Sequence, residues 1–598
     1  MTKDGRGKAF EQRADAGEAE LRLAMSRSRA AFVGTAVMSG LINILYLTGS
    51  FFMLEVYDRV IPSRSVPTLT GLLVLALALF VFQGALEMLR SRILARTAAS
   101  LNEDLGGRVF DLIVKSPLKG SLPGDGLLPL RDLDAVRSFM SGSGPSAFFD
   151  LPWMPIYLFV CFLFHPLLGS MALAGVFVLA GLTVLTDRAT RQPTLSATRS
   201  MQQRNALAEA GRRNAEVLSA LGMQERFAHR WIRANDDHLQ AQQSLSDATS
   251  GYATVSKTFR MVLQSGVLAL GAWLVINNMA TGGIIIASSI LVSRALAPAE
   301  LAIANWKGFV QARQSWGRLA DLLNRIPPSN PLHALPAPRQ SLVAEAVSVA
   351  PPGVPRLIVQ DVSLALQAGQ GLGIIGPSAS GKSTLVRCLA GIWPTVRGKV
   401  RLDGAALGQW SATDLGSHLG FLPQEVELFA GTVSENIGRF DPASSAQAVI
   451  AAAQAAGVHD MILRLPDGYD TRLGESGTGL SAGQRQRVGL ARALYGEPFL
   501  VILDEPNANL DAVGEHALTQ AILGVRQRGG ICIVVAHRPS ALAAVDLVLM
   551  MNEGRAQAFG PRDEVLKRVL QPVPAAQSGQ VSSRSVEVGG RASQGGLQ

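Results

Sequence analysis

The segment LSAGQRQRVGLARAL occupies Leu480–Leu494, and the segment FLVILDE follows it at Phe499–Glu505. In the first segment, a Ser-x-Gly-Gln run opens an Arg-rich stretch with the composition of a helix. The second segment is an apolar run of strand length that ends in Asp-Glu. Short apolar runs that alternate with helical segments in this way are typical of an α/β nucleotide-binding domain.

A glycine-rich loop upstream supplies the expected phosphate site of this domain. The apolar run GLGIIG leads into a G-x-x-x-x-G-K-S pattern that is followed by a helix, and the backbone N–H groups of such a loop curl around phosphates. Lys382 would reach the β- and γ-phosphates, and the Ser383 hydroxyl would be a ligand of Mg²⁺. We expect the following residues to bind nucleotide: Gly376, Pro377, Ser378, Ala379, Ser380, Gly381, Lys382, Ser383 and Thr384.

Two carboxylates close the apolar strand and complete the expected chemistry. Asp504 ends the strand and would help to hold Mg²⁺, directly or through water. Glu505 follows it and is the natural general base for the attacking water. Phosphoryl transfer to water needs charge neutralisation and an aligned nucleophile, with little covalent chemistry. The residues therefore predict an ATP hydrolase.

These motifs, in this order, resemble those of the ATP-binding cassette (ABC) superfamily, with LSAGQ as the signature motif and LVILDE as the Walker B strand. The resemblance implies that Gln424, in FLPQE, is the Q-loop residue, which contacts Mg²⁺ and reports the γ-phosphate to a membrane domain. It also implies that His537, in IVVAHR, contacts the γ-phosphate.

The same resemblance implies a site that two chains share. Ser481, Gly483 and Gln484 would bind the γ-phosphate of the ATP that the phosphate loop of the other chain holds. Asp511, in NANLD, would touch the partner cassette. A homodimer is the default arrangement for such a protein.

Two positions depart from the family pattern. The signature has Ala482 where glycine is the most frequent residue, and one methyl group there is expected to be tolerated. Alignment of VSVAPPG places Pro351 where an aromatic residue often stacks on adenine. This departure leaves nucleotide affinity and base selectivity open, but it does not affect the expected phosphate chemistry.

The first half of the chain has a different composition. Hydrophobic residues make up 48% of the protein and charged residues 17%, which is low for a soluble protein. Six apolar runs approach the length of about 20 residues that spans a bilayer. Buried helices of a soluble domain fit less well, because runs such as LTGLLVLALALFVF exceed what a soluble core uses. The predicted spans are Ala31 to Leu54, Val66 to Leu89, Ser146 to Phe164, Pro166 to Leu185, Val255 to Ile276 and Gly282 to Ala304.

The charge pattern predicts the orientation of these spans. The net charge is +9, and basic residues collect in the N-terminal segment and in the long connections between spans 2 and 3 and between spans 4 and 5. Connections on the cytosolic side of a membrane carry such an excess of Lys and Arg, so both termini are expected in the cytosol, and the charge needs no nucleic-acid partner. The long connections have helical composition and are expected to continue the spans as helices, whose turns could press on a soluble domain; a solvated hairpin is the alternative.

Two ionisable residues fall inside the sixth predicted span. Arg294 and Glu300 are costly in a bilayer, so they are expected to face an internal translocation path; the alternative is an interhelical pair or a side chain that reaches the membrane surface. The three cysteines, Cys161, Cys388 and Cys532, have no metal or disulfide spacing and are expected to be buried thiols.

The sequence divides into five parts on this basis: a cytosolic N-terminal segment (1–30), an ABC transmembrane domain (31–325), a Pro-rich linker (326–340), an ABC nucleotide-binding domain (341–570) and a disordered tail (571–598). The expected fold is thus an α-helical six-span transmembrane domain of the type I ABC exporter fold, followed by an α/β P-loop NTPase cassette.

Three further stretches resemble the ATPases of bacterial type I secretion, in the protease-exporter (PrtD-like) branch. They are VYDRVIPSRS (56–65), FFDLPWMPIYLFVCFLFHPLLG (148–169) and LPQEVELFAGTVSENIGRF (422–440). The resemblance implies an inner-membrane half-exporter that uses ATP and Mg²⁺ to move unfolded polypeptides with a C-terminal signal. It also implies a membrane-fusion adaptor and an outer-membrane channel. About 30 residues precede the first span, too few for the peptidase-like domain of some relatives, so no substrate processing is expected.

Other functions remain as alternatives at this point. A half-exporter of lipid or of a small hydrophobic compound would carry the same ATP motifs. A soluble ABC ATPase that acts on DNA or ribosomes conflicts with six spans. A channel or regulator with an inactive cassette conflicts with the presence of Lys382, Glu505 and His537.

Overall fold

A computed structural model describes residues 16–120, 126–327, 334–474, 477–536 and 542–570. The chain divides into a helical unit, residues 1–329, and an α/β unit, residues 330–598. His537 and the C-terminal tail, which the sequence predicts to be disordered, lie outside the described residues. The order of a helical unit and an α/β unit is the fold class that the sequence predicts.

Six segments of the described helical unit are long and apolar enough to cross a membrane, and each contains one of the predicted spans in full. Three of them have 54, 48 and 53 residues. At 1.5 Å per residue these helices are ~70–80 Å long, against ~30 Å of hydrocarbon, so the predicted extensions are present. The segments are span 1 (Arg29–Ser63), span 2 (Val66–Lys119), span 3 (Gly144–Phe164), span 4 (Pro166–Arg213), span 5 (Gln224–Ile276) and span 6 (Gly282–Ala304).

Shorter helices pack on the extension of span 2. Leu21 of the helix Ala16–Arg27 and Leu319 of the helix Trp306–Arg325 are buried in one apolar cluster with residues of span 2. The Arg108 guanidinium donates to Glu20 at 3.1 Å, which ties the first helix to span 2. The residues before span 1 thus share a core with the long helices. The short helices of this unit are α1 (Ala16–Arg27), α2 (Leu128–Ser141), α3 (Ala215–Ala220) and α4 (Trp306–Arg325).

A hydrogen-bonded ion pair joins spans 1, 2 and 3. The Arg90 guanidinium of span 2 donates to Asp150 Oδ1 of span 3 at 2.8 Å. The same oxygen accepts from Asn43 Nδ2 of span 1 at 2.8 Å, and the Tyr157 hydroxyl donates to Asn43 Oδ1 at 2.9 Å. All four side chains are buried. Buried charge is tolerated here because each member has a partner.

The two ionisable residues of span 6 are held differently from each other. Glu300 lies 2.6 Å from Arg260 Nε of span 5, so the interhelical alternative describes Glu300. Arg294 is exposed, and its guanidinium carbon lies 4.3 Å from the centroid of the Tyr46 ring of span 1.

The C-terminal end of span 1 is fixed to the start of span 6. A π-helical turn, Val56–Val60, carries Asp58 in the quoted stretch VYDRV. Asp58 accepts from Thr281 Oγ1 at 2.5 Å and from the Gly283 backbone N–H at 2.8 Å. A carboxylate at this place satisfies free N–H groups and complements the positive end of the helix dipole.

The described residues of the α/β unit form two large sheets and one short sheet of two antiparallel strands, β7 and β8. A six-stranded sheet has the order β12-β11-β3-β10-β9-β6, with parallel neighbours except at the antiparallel edge pair of β11 and β12. A four-stranded antiparallel sheet has the order β2-β1-β4-β5. The strands are β1 (Ser341–Val349), β2 (Val359–Gln367), β3 (Gly371–Ile375), β4 (Arg397–Leu402), β5 (Ala405–Ala406), β6 (Leu419–Leu422), β7 (Gly431–Thr432), β8 (Arg472–Leu473), β9 (Leu500–Asp504), β10 (Ile531–Val535), β11 (Leu547–Asn552) and β12 (Arg555–Pro561).

Helices cover the parallel sheet, whose central strands β9 and β10 are buried throughout. Such burial explains why these strands are continuous apolar runs rather than alternating ones. Cys388 and Cys532 lie in this unit and Cys161 in span 3; all three are buried free thiols, as predicted. The helices are α5 (Lys382–Leu389), α6 (Ala412–His418), α7 (Val433–Ile437), α8 (Ala446–Ala455), α9 (His459–Leu463), α10 (Ala482–Leu494), α11 (Ala512–Gln527) and α12 (Arg562–Leu570).

Removal of Asp150 tests the buried ion pair. Asp150→Ala leaves the Arg90 guanidinium buried without a carboxylate, which is expected to destabilise the protein by about 3–5 kcal/mol and to lower its unfolding temperature in detergent. Asp134→Ala is the matched control, because its ion pair with Arg137 is about half exposed and is worth less than about 1 kcal/mol. If both variants lowered the unfolding temperature by the same amount, the buried pair would stabilise the protein no more than the exposed one.

Candidate active site

The predicted site residues gather at one edge of the parallel sheet. The phosphate loop follows β3, Gln424 lies two residues after β6, and Glu505 follows β9 directly. The segment after β10 leads to His537, which lies outside the described residues. The carboxyl ends of parallel strands meet at one edge, and ligands of α/β sheets bind in the crevice there. The topology thus brings together groups that are about 130 residues apart in the chain.

The phosphate loop has a backbone that glycine permits. Gly376 has φ +149°, and a Cβ on it would lie 2.1 Å from the Met551 carbonyl oxygen. Helix α5 begins at Lys382, so its free N–H groups open into the loop. The Ser380 hydroxyl is buried and has no hydrogen-bond partner among the described residues. An orphaned hydroxyl inside a ring of N–H groups fits a bound phosphate.

The Lys382 ammonium lies inside this loop. Its Nζ donates to the carbonyl oxygens of Gly376 at 3.0 Å and of Pro377 at 2.8 Å, and the side chain is buried. Burial lowers the pKa of Lys382, against the opposite effect of Glu505 and Asp504. A desolvated ammonium of this kind gains more from a phosphate anion than a solvated one does.

Asp504 lies beside Ser383 at the end of β9. The Ser383 hydroxyl donates to Asp504 Oδ1 at 3.3 Å. Burial raises the pKa of the Asp504 carboxyl, and the Ser383 hydrogen bond opposes that shift. A carboxylate next to a hydroxyl is the oxygen donor set that suits Mg²⁺, so the two residues fit the predicted metal site.

Glu505 has a constrained backbone and a defined neighbour. Its φ is +50°, in the left-handed region that non-glycine residues rarely adopt, at a cost of about 1–3 kcal/mol. Its N–H donates to the Val535 carbonyl oxygen at 3.2 Å, which holds it against β10. Gln424 Nε2 donates to Glu505 Oε2 at 3.2 Å. The structure thus places the expected base and the Q-loop amide side by side.

The signature motif forms the start of α10. Ser481 Oγ accepts from the Gln484 N–H at 3.3 Å and Gln484 Oε1 from the Ser481 N–H at 2.8 Å, which is a capping box. A Cβ on Gly483 would lie 2.8 Å from the Asn509 carbonyl oxygen, so glycine is needed there. Ser481 and Ala482 are exposed, so the extra methyl group of Ala482 lies at the surface. The hydrogen bonds of the Ser481 and Gln484 side chains stay within the box.

Two residues that the sequence did not single out, Arg487 and Gln486, connect α10 to the loop that follows β9. Arg487 Nη2 donates to Asp511 Oδ1 at 2.7 Å, and Gln486 Nε2 donates to the Pro506 carbonyl oxygen at 3.1 Å. Asp511 also caps α11 by accepting from the Gly514 N–H at 2.8 Å. That backbone hydrogen bond, followed by Arg487, lowers the pKa of Asp511. The Arg-rich composition of α10 was the available signal, but a helix sequence does not show which arginine faces the loop.

Pro351 lies in the turn between β1 and β2, where its carbonyl oxygen accepts from the Val354 N–H at 3.1 Å. The end of this turn lies beside the phosphate loop, since a Cβ on Gly381 would be 3.2 Å from the Ile358 carbonyl oxygen. Residues 350–358 contain no aromatic side chain. Stacking of an adenine by this turn would therefore rely on non-aromatic side chains.

Comparison with known proteins decides the family. The family model described as ABC transporter transmembrane region matches residues 32–296, and the family model described as ABC transporter matches residues 359–508. The chain belongs to the ABC transporter family. Since it carries both regions, it is an ATPase coupled to transport and a multi-pass membrane protein that binds nucleotide.

Within the ABC transporter family, the chain groups with type I secretion proteins. It is 58% identical to the type I secretion system ATP-binding protein PrsD of Rhizobium meliloti, over 92% of this chain and 94% of that protein. It is 31% identical to the cyclolysin secretion/processing ATP-binding protein CyaB of Bordetella pertussis, over 88% and 74%. It is 28% identical to the alpha-hemolysin translocation ATP-binding protein HlyB of Escherichia coli, over 91% and 77%. The predicted resemblance to type I secretion ATPases is confirmed.

A solved structure supports the fold of the ABC transporter. The ATP-bound structure of a bacterial Atm1-family ABC exporter matches with a TM-score of 0.80 at 24% identity, over 91% of this chain and 96% of that one. At this identity, the likeness shows the exporter fold alone.

The raised pKa of Asp504 predicts how the stability of the nucleotide-free protein depends on pH. Ionised Asp504 destabilises the folded state; this penalty is absent below the unfolded pKa of about 3.9 and grows as pH rises through the raised folded pKa. Asp504→Asn is therefore expected to raise the unfolding temperature at about pH 7.5, with a gain that shrinks towards about pH 4.5. Thermal unfolding without nucleotide measures this. The exposed Asp460→Asn is the control, and a lower unfolding temperature of Asp504→Asn at the higher pH would contradict the assignment.

Proposed function

We propose that this ABC transporter is the inner-membrane ATPase of a bacterial type I protein secretion system. As a homodimer, it couples ATP hydrolysis to the export of unfolded polypeptides that carry a C-terminal signal. The observation that carries the proposal is the gathering of Lys382, Ser383, Asp504, Glu505 and Gln424 at one edge of the sheet. The same chain has six helices of membrane-spanning length and is 58% identical to a type I secretion ATP-binding protein.

ATP binds first through its phosphates. The backbone N–H groups of residues 378–384 and the Ser380 hydroxyl hold the β- and γ-phosphates, and the Lys382 ammonium exchanges its two loop carbonyls for phosphate oxygens. Mg²⁺, when bound, neutralises the phosphate charge, and Ser383, Asp504 and Gln424 are the residues that would hold it. The buried Asp504 is stabilised in its ionised form by the cation.

Hydrolysis then depends on Glu505 and its neighbours. Its carboxylate accepts a proton from the attacking water, and its left-handed backbone keeps the carboxylate fixed at the end of β9. Gln424, 3.2 Å from that carboxylate, orients the same water and senses the γ-phosphate. His537, which follows β10, donates to the γ-phosphate as charge develops.

The dimer supplies the second half of each site. Ser481, Gly483 and Gln484 lie at a helix N-terminus, where N–H groups and the dipole favour an anion. They bind the γ-phosphate held by the other chain, and Asp511 contacts the partner cassette. The bonds from Arg487 to Asp511 and the close approach of Gly483 to Asn509 keep the two motifs in register. ATP is thereby the contact that closes the two cassettes.

The relatives indicate the wider assembly. A membrane-fusion adaptor and an outer-membrane channel complete the export path, and the cassette and both termini lie in the cytosol because the long basic connections lie on that side. The exported polypeptide is the substrate, and no nucleic acid is involved.

Loss of Glu505 tests the proposed function. Glu505→Gln keeps the side-chain size but removes the base, so ATP binding is expected to persist while turnover falls by at least about 100-fold. Secretion of the cognate polypeptide into the medium is expected to stop. ATP binding, phosphate release and mass spectrometry of the culture medium measure the three effects. Exposed Glu553→Gln is the matched control.

Two outcomes would count against the function. Normal turnover in Glu505→Gln would remove its role as the base. An unchanged set of secreted proteins, together with a changed lipid composition of the outer leaflet, would favour the lipid half-exporter instead.

Mixed dimers test the shared site. Lys382→Ala in one chain and Ser481→Arg in the other leave one complete site, whereas both changes in one chain paired with a wild-type chain leave none. Tandem-tagged dimers of the first kind are expected to retain about half of the wild-type ATPase activity if the sites act independently, and those of the second kind to have almost none. About half of the wild-type activity in dimers of the second kind would show that the site is not shared.

A further inference from the structure

Arg90, Arg260 and Arg294 all lie in spans, but their charges are balanced in different ways. Arg90 is buried against Asp150, and Arg260 lies against Glu300. Arg294 is exposed, and among the described residues it has neither a carboxylate within ion-pair distance nor a hydrogen-bond partner. It is held only by the face of the Tyr46 ring, 4.3 Å from the guanidinium carbon.

The depth of Arg294 restricts what its side chain faces. It is twelve residues after the start of span 6 at Gly282, or ~18 Å along the helix, which is well inside ~30 Å of hydrocarbon. A guanidinium that faces lipid at that depth costs at least about 2.5 kcal/mol, and ionisable residues in spans face a water-filled path or another polar group. The exposed side of Arg294 is therefore expected to face water or a polar ligand rather than lipid.

The support beneath Arg294 is rigid. The Tyr46 hydroxyl donates to Glu87 Oε1 of span 2 at 2.8 Å, and Gln83 Nε2 donates to the same oxygen at 2.9 Å. One turn before Tyr46, Asn43 is fixed by Asp150 of the buried ion pair. The Tyr46 hydroxyl is thus anchored by span 2, its helix is held to span 3 through Asn43, and the Tyr46 ring offers its face to the guanidinium.

The contact with the Tyr46 ring leaves the guanidinium N–H groups of Arg294 without a hydrogen-bond partner among the described residues. Stacking on a ring uses the face of the cation, and its five N–H donors lie in the plane of the guanidinium. Such an edge matches a carboxylate in a bidentate way, and the match is stronger in a poorly hydrated site. Charge complementarity thus favours an acidic ligand over a neutral one.

We propose that Arg294, stacked on Tyr46, is a contact site within the spans for the carboxylates of acidic segments of the exported polypeptide. The proposal rests on the proposed function, since it names a property of the cargo. Glu300, which the sequence placed on the path together with Arg294, is used by Arg260 and is not part of this site.

Two unfolded Gly/Ser peptides of equal length test the site, one with Asp and the other with Asn at every fourth position. Both carry a fluorophore and bind to the full-length protein in nanodiscs of phosphatidylcholine, where fluorescence anisotropy gives the affinity. The Asp peptide is expected to bind about tenfold more tightly than the Asn peptide, because a charged hydrogen bond is worth about 1.5 kcal/mol or more.

Variants assign the preference to Arg294. Arg294→Gln is expected to abolish the difference between the two peptides, and Arg294→Lys to retain part of it. Arg59→Gln, which removes an exposed arginine at the outer end of span 1, is the matched control and is expected to keep the full difference. Elution of each variant as the wild-type oligomer in gel filtration confirms its fold.

Three results would overturn the site. Equal binding of the two peptides to the wild type would exclude acidic recognition, and an unchanged preference in Arg294→Gln would place it elsewhere. A photo-crosslinker at the exposed Ala297 that labels a second copy of the chain or lipid, and not the Asp peptide, would assign Arg294 to another contact. Peptide binding needs no hydrolysis, so these failures leave the Glu505→Gln test of the proposed function intact.

Discussion

The absence of water from a bilayer core is the constraint on which the helical unit depends. A charge or a polar group in a span needs a partner within the protein, or it must face a wet path. The Arg90–Asp150 pair satisfies this condition with help from Asn43 and Tyr157, and in doing so it fixes spans 1, 2 and 3 against one another. Asp58, at the C-terminal end of span 1, likewise accepts a hydrogen bond from a free N–H group at the start of span 6.

These contacts give a physical meaning to the stretches that carry the resemblance to type I secretion ATPases. Asp58 lies in VYDRVIPSRS, and Asp150 lies in FFDLPWMPIYLFVCFLFHPLLG. Each stretch contributes one carboxylate that joins separate spans. In LPQEVELFAGTVSENIGRF, Arg439 has a comparable role in the cassette, where its guanidinium donates to the carbonyl oxygens of Gly416, Arg492 and Ala493.

In the cassette, buried charges are left poorly compensated, whereas the buried charges of spans 1 to 3 are paired. Burial lowers the pKa of Lys382 and raises that of Asp504, so both charges are poorly compensated without substrate. A phosphate anion would compensate the Lys382 ammonium, and a divalent cation would compensate the Asp504 carboxylate. The strained backbone of Glu505 is a further energetic cost that the nucleotide-free site carries. Nucleotide binding is thus favoured by the relief of charges that the fold holds out of water.

Much of this protein could be predicted from the sequence. Six apolar runs, their basic connections and the order of the ATP motifs determine the fold class, because span length, loop charge and the phosphate loop are local properties. The sequence could not assign partners. It placed Arg294 and Glu300 together, and it missed Arg90, Asp150 and Arg487 as structural contacts. Which carboxylate meets which arginine depends on helix rotation and on packing between distant segments, since Arg90 and Asp150 are 60 residues apart and Glu20 and Arg108 are 88 residues apart. The sequence by itself therefore determined the architecture and the family, and only the tertiary structure decided how each buried charge is satisfied and which one stays open.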